Sequence, residues 1–149
     1  HRTAPSAGAL YPLEVYLVAG SVTDLEPGTY HYDPAGHQLV RLERGDLREA
    51  LKVAARNQTQ VGDAPATLVI AADPERTIAK YGEERGMQFV YMETGHAAQN
   101  VYLQAETMNL ATVAMGAFDD AAVREVLKLS EETVPLYLMP VGRGITGNV

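Results

Sequence analysis

Three short groups of residues in this sequence have the types and spacing to do chemistry. The first is Pro5-Ser6-Ala7-Gly8-Ala9-Leu10-Tyr11-Pro12. Small residues in succession let a backbone come close to a flat ligand, and each proline fixes its own φ and restricts the residue before it. The second is Lys80-Tyr81. An ammonium beside a phenol favours the phenolate, the form that can take a proton. The third is Met115-Gly116-Ala117-Phe118-Asp119, where a strand-like run gives way to a helix-like one. Backbone N–H groups at such a junction are unpaired by the strand and lie near a helix N-terminus, a place suited to developing negative charge. Asp119 reads as the cap of that helix.

Other patterns lead nowhere. Gly142-Arg143-Gly144-Ile145-Thr146-Gly147 has the spacing of the dinucleotide fingerprint. That fingerprint needs a following helix within a βαβ unit, so no Rossmann site is expected. His1, His31, His37 and His96 have no partner at ligand spacing on a common helix, and no metal site is expected. Ser6 lacks a His-Asp arrangement that would make it a nucleophile.

The elements that must position these groups follow from periodicity and punctuation. The run Leu13–Val18 is strand-like, and Val15–Ala19, apolar and rich in β-branched and aromatic residues, is the strand candidate. Two further strands, 29–33 and 38–42, flank the turn Pro34-Ala35-Gly36 and suggest a hairpin. Asp46 is placed to cap a helix running to about Arg56, with Leu47, Ala50, Leu51 and Ala54 on one face. Ala66–Ala72 reads as a buried strand. The spacing of Phe89, Val90, Ala97, Ala98, Val101, Tyr102, Ala105 and Met108 predicts a long helix over 84–110, weakened at Gly95. A strand over 111–117, a helix from Asp119 or Asp120, and a last strand over 134–141 complete the set. Strands and helices mix without regular alternation, which favours an α+β sandwich of helices on one mixed, mostly antiparallel sheet.

Composition bounds the answer. At 149 residues with 46% hydrophobic and 21% charged positions, the chain has the make-up of one globular domain. No apolar run approaches the ~20 residues that span a bilayer. With no cysteine, disulfides and thiolate catalysis are excluded. A net charge of -7 argues against sequence-independent nucleic-acid binding, though not against an anionic cofactor held by a few N–H groups and one arginine.

Taken in order, four segments resemble the nitroreductase family of FMN enzymes, and most nearly its SagB-type branch, which includes oxidases that convert azolines to azoles. They are Pro5–Pro12; Lys80-Tyr81-Gly82 with the run from Arg85 through Glu93-Thr94-Gly95-His96 to Asn100; Met115–Asp119; and Pro135–Arg143. The resemblance covers nearly the whole chain. It implies the same α+β sandwich, and a homodimer with the long central helix at the interface and each FMN between subunits. It also implies FMN contacts from Arg2, Pro5, Ser6, Ala7 and Gly8. Gly116 and Ala117 would donate N–H groups to flavin N5 and O4, and Arg143 would reach the phosphate. Lys80 and Tyr81 would be catalytic, Tyr81 removing a ring proton as hydride passes to N5. Family members usually carry an N-terminal helical portion, so residues 1–149 are expected to be a single domain lacking it. A cytoplasmic oxidoreductase acting on a small molecule or peptide is expected. The alternatives are an NAD(P)H-dependent nitro or quinone reductase and a non-catalytic flavin-binding or scaffold domain.

Overall fold

The fold is built on a strand that is apolar nearly throughout, and the computed structural model describes residues 2–144. That strand is β4 (Ala66–Ala72). β1 (Leu13–Ala19) runs antiparallel along one side of it, from Leu13 opposite Ala72 to Ala19 opposite Ala66. β6 (Val134–Gly142) runs antiparallel along the other, from Val134 opposite Ala72 to Val141 opposite Ala66. β2 (Gly28–Asp33) and β3 (Gln38–Arg44) form the expected hairpin beyond β1, and the two-residue β5 (Ala111–Thr112) lies on the far edge. The order is β3-β2-β1-β4-β6-β5. Among the described residues every strand pair is antiparallel, a narrower result than the mixed sheet the sequence allows.

Among the described residues five helices cover both faces: α1 (Arg48–Ala54), α2 (Thr59–Asp63), α3 (Glu75–Tyr81), α4 (Glu83–Thr107) and α5 (Asp120–Leu127). Side chains alternate across a strand, so β4 feeds two cores. Val69 joins Val18, Leu138, Leu51, Val61, Val123 and Leu127 on one face. Ile70 joins Met139 and Ala98, with Leu68, Ala97 and Val101 alongside, on the other. Burial on both sides explains why β4 is apolar without alternation. The result is an α+β sandwich, with α4 facing one core and α1, α2 and α5 the other.

Local chemistry adjusts the expected boundaries. The strand expected over 111–117 keeps only Ala111–Thr112 and a single bridge between Met115 and Leu138. The Ala114 N–H, which a ladder would use, instead donates to the Tyr102 hydroxyl of α4 at 2.7 Å. Asp46 does bond the N–H of Arg48, at 3.1 Å, but also grips the Arg48 guanidinium, and α1 starts at Arg48. Gly95 does not interrupt α4, and a Cβ there would meet nothing within 4 Å.

Candidate functional site

The Pro5–Pro12 segment is a loop under tension, pinned at both ends. Ala7–Ala9 makes one 3-10 turn, and Gly8, Ala9 and Tyr11 all have positive φ, at 61°, 55° and 48°. For residues with a Cβ that conformation is disfavoured and must be held by its surroundings. The hold is visible. The Ser6 hydroxyl accepts the Tyr11 N–H at 2.9 Å, and the Pro12 carbonyl accepts the Asp73 N–H at 2.8 Å. Arg76 on α3 donates to the Tyr11 carbonyl at 3.1 Å while paired with Glu14 at 2.6 Å and Asp73 at 3.1 Å. On the other side Asn100 of α4 donates to the Thr3 hydroxyl at 3.2 Å, and the Arg2 guanidinium lies 4.2 Å from the Tyr11 ring centre.

Lys80 and Tyr81 close α3, and both polar tips converge on this loop. A Cβ built on Gly8 would stand 2.7 Å from the Tyr81 hydroxyl and 2.9 Å from the Lys80 ammonium. Only glycine leaves room for that approach. The Tyr81 ring meets Phe89 edge-on, centroids 4.9 Å apart at 83°, which fixes the direction of its hydroxyl. The Lys80 ammonium is 5.4 Å from the Tyr81 ring centre.

Beneath the loop lies a carboxylate to which sequence reasoning gave no role. Glu93 on α4 is only 5% exposed. Burial pushes its carboxyl above the usual range, while the Ser6 hydroxyl, Arg2 and His96 pull towards the charged form. A signal was present: Glu93 falls between Val90 and Ala97 at the spacing of the helix's buried side, where an acid needs partners. Arg76 had no such signal, since its bond to Glu14 depends on where β1 lies.

Gly116 and Ala117 follow the Met115–Leu138 bridge and are exposed. Gln58 donates to the Ala117 carbonyl at 2.9 Å, and the Asp119 N–H donates to the Ala54 carbonyl at 2.9 Å. Among the described residues nothing accepts from the Gly116 or Ala117 N–H. Asp119 caps α5, its carboxylate accepting the Ala122 N–H at 2.8 Å. Arg143, exposed, follows the last residue of β6. The loop precedes Leu13, at the Ala72–Val134 end of the sheet; Arg143 leaves the Ala66–Val141 end. From Val134 to Gly142 β6 rises ~26 Å at about 3.3 Å per residue. One copy of the chain thus gathers Arg2, Pro5–Gly8, Lys80 and Tyr81 and holds Arg143 a sheet's length away. The glycine-rich run after Arg143 extends into 145–147, outside the described residues.

The sequence profile of the Nitroreductase family matches residues 1–143. The chain belongs to the nitroreductase family. It is 49% identical over 144 residues to a provisionally named nitroreductase of Methanocaldococcus jannaschii, covering 97% of this chain and 71% of that one. It is 29% identical to the microcin B17-processing protein McbC of Escherichia coli, over 95% of this chain and 54% of that one. A crystal structure from Anabaena variabilis, also provisionally named a nitroreductase, superposes with a TM-score of 0.87 at 28% identity, over 97% of this chain and 29% of the other. A chain of the E. coli microcin synthetase McbBCD complex, solved with truncated pro-MccB17 bound, superposes at 0.84 with 26% identity, over 97% and 56%. The chain therefore spans about half of McbC and under a third of the Anabaena protein. The nitroreductase family is an oxidoreductase family, and its fold is the one described above. Among the described residues no helix is long and apolar enough to cross a membrane.

Proposed function

We propose that this chain is the flavin-binding part of an FMN-dependent, SagB-type dehydrogenase that oxidises an azoline-like ring carried by a small molecule or peptide. The observation that carries the reading is the convergence of the Lys80 and Tyr81 tips on Gly8 of the cofactor loop. The donor set suits FMN: two adjacent exposed N–H groups at Gly116 and Ala117 for the acceptor edge of the ring, and the guanidinium of Arg143 for the phosphate. Pro5, Ser6, Ala7 and Gly8 present backbone to the ring, and Arg2 adds positive charge beside them. FMN, when bound, supplies a two-electron hydride acceptor at N5. Tyr81 takes the proton from the ring carbon, and the Lys80 ammonium beside it favours the phenolate that can do so. The relatives McbC and McbBCD, whose names speak of microcin B17 processing and a bound pro-peptide, support a peptide substrate.

The site as read draws on two copies of the chain. Arg143 stands too far from the loop of its own chain to share one flavin with it. α4 exposes Met92 and Leu103 on one side with Tyr91 beside them, an apolar face that a second copy would cover. A homodimer through α4 meets both requirements.

A second reading, an NAD(P)H-dependent nitro or quinone reductase, is favoured by the 49% identity to the M. jannaschii relative so named. The test begins with an absorbance spectrum of purified, desalted protein and mass identification of any released chromophore. Near-stoichiometric FMN is expected. Turnover of an azoline peptide lost in Tyr81→Phe and kept in Ser21→Ala supports the dehydrogenase. Equal turnover in both removes Tyr81 from the mechanism, and stoichiometric NAD(P)H oxidation with nitro compounds favours the second reading.

A further inference from the structure

α3 carries both Lys80 and Tyr81, so whatever fixes α3 against the 5–12 loop decides where their tips fall. Two contacts bear on it. Against α4, a Cβ built on Gly86 would stand 2.8 Å from the Ile78 Cα. That close approach sets the separation of the two helices, not the position of α3 along the loop. The second contact is Arg76. Its Nε donates to Asp73 at 3.1 Å, one terminal nitrogen to Glu14 at 2.6 Å and the other to the Tyr11 carbonyl at 3.1 Å. Glu14 is itself held from the sheet, its second oxygen accepting from His31 Nε2 at 2.8 Å. The guanidinium is thus tied to β1, to the residue ahead of the α3 cap and to the loop at once. An isolated exposed ion pair contributes little to stability, but a planar fork with all three nitrogens engaged fixes a direction.

The spacing along helix and loop agrees. Arg76 and Lys80 lie one turn apart on the same stripe of α3, ~6 Å along its axis. Tyr11 and Gly8 are three residues apart in a loop built on a 3-10 turn, ~6 Å at about 2 Å per residue. With the guanidinium on the Tyr11 carbonyl, Lys80 and its neighbour Tyr81 therefore come level with Gly8, where both tips are found. We propose that Arg76 is the positioning residue of the Lys80–Tyr81 pair: anchored on Glu14 and Asp73, it holds the Tyr11 carbonyl and so sets α3 in the register that brings both tips to Gly8. Arg76 acts through α3 and the loop. Its consequence for catalysis rests on the dehydrogenase reading above, but the positioning itself can be tested without flavin.

The experiment compares the full chain with Arg76→Met, Glu14→Met and Glu14→Gln, and with Arg48→Met as a control. Arg48 is a second arginine fork, donating to Asp46 and to the Ala64 carbonyl, at the Ala66 end of the sheet away from the loop. The first readout is the nuclear Overhauser effect between the Gly8 α-protons and the Tyr81 ring, which needs no flavin. It should be present in the parent and in Arg48→Met and lost in Arg76→Met and Glu14→Met. Glu14→Gln, which keeps an acceptor for the guanidinium, should recover it. The second readout is turnover of an azoline peptide at saturating FMN. In Arg76→Met kcat should fall roughly ten- to hundredfold, with KM within about threefold of the parent. An Overhauser effect that survives in Arg76→Met, or that is lost equally in Arg48→Met, overturns the proposal. Should Arg76→Met not fold, a parent-like effect in Glu14→Met overturns it equally. The two readings separate cleanly. Loss of the effect with unchanged kcat keeps the positioning and removes Lys80 and Tyr81 from the chemistry. A parent without flavin or turnover sinks the dehydrogenase reading and leaves the Overhauser effect to decide the role of Arg76.

Discussion

Gly8→Ala tests the closest approach in the candidate site. Two costs are expected. Gly8 sits at φ 61°, where an L-residue with a Cβ loses roughly 1–2 kcal/mol relative to the right-handed region. The new methyl also meets the Tyr81 hydroxyl at 2.7 Å and the Lys80 ammonium at 2.9 Å. The lysine is long enough to swing aside. Tyr81 is not, because its ring is wedged edge-on against Phe89; moving it gives up an aromatic contact of about 0.5–1.5 kcal/mol. The sum is ~1.5–3.5 kcal/mol, or a fall of roughly 3–14 °C in unfolding midpoint for a chain of this size. Urea denaturation of four proteins separates the costs: parent, Gly8→Ala, Tyr81→Phe and the double variant. Removing the hydroxyl removes the clash but not the φ cost. Gly8→Ala should therefore cost about 1 kcal/mol less in the Tyr81→Phe background than in the parent. Equal costs in the two backgrounds would refute the contact between loop and hydroxyl, and a cost under about 0.5 kcal/mol would refute the left-handed conformation as well.

Three further outcomes are expected. Glu93 has a folded-state pKa above its unfolded value, so the folded chain binds the extra proton. Its contribution favours the fold at low pH and is lost as pH rises from the ordinary glutamate range through the raised value; Glu93→Gln should flatten that fall and raise the unfolding midpoint at pH 7, and an unchanged pH profile would contradict this. Asp119→Ala removes the α5 cap and should cost about 1 kcal/mol in urea unfolding, with Asp119→Asn close to the parent. Lys128 ends α5 at φ 55°, and Lys128→Gly should stabilise by about 1 kcal/mol; a loss of stability would show that the lysine side chain matters more than its backbone strain.

The legible parts of the sequence were those set by local patterns. Ala66–Ala72 announced a strand buried on both faces, and the apolar spacing after Glu84 announced α4 to within three residues at its C-terminal end, because such patterns survive any tertiary context. Asp119 was legible as a cap for the same reason. α2 was not, since five residues carry too little periodicity. The shortened strand after Ala111 was hidden because the group that diverts it, the Tyr102 hydroxyl, comes from α4. In the candidate site, Lys80 and Tyr81 could be named from sequence. Their joint aim at Gly8 could not, because adjacent helical residues ordinarily point about 100° apart and only the loop's path brings both within reach. Arg76 was illegible for a like reason: Glu14, Asp73 and Tyr11 meet it only once the register of β1 against β4 is set.

The sheet's length between the loop and Arg143 also governs how damaged copies would behave when mixed. If each flavin is held by the loop of one copy and the arginine of another, a Tyr81→Phe chain and an Arg143→Ala chain are each defective at every site of their own homodimers. In a mixed dimer both lesions fall on one site and the other is whole. Co-expression of the two inactive alleles would then restore about a quarter of normal activity under random pairing, since half the dimers are mixed and each carries one sound site of two. Two lesions on opposite ends of the sheet would complement, whereas Tyr81→Phe paired with Gly8→Ala, both at the same end, would not.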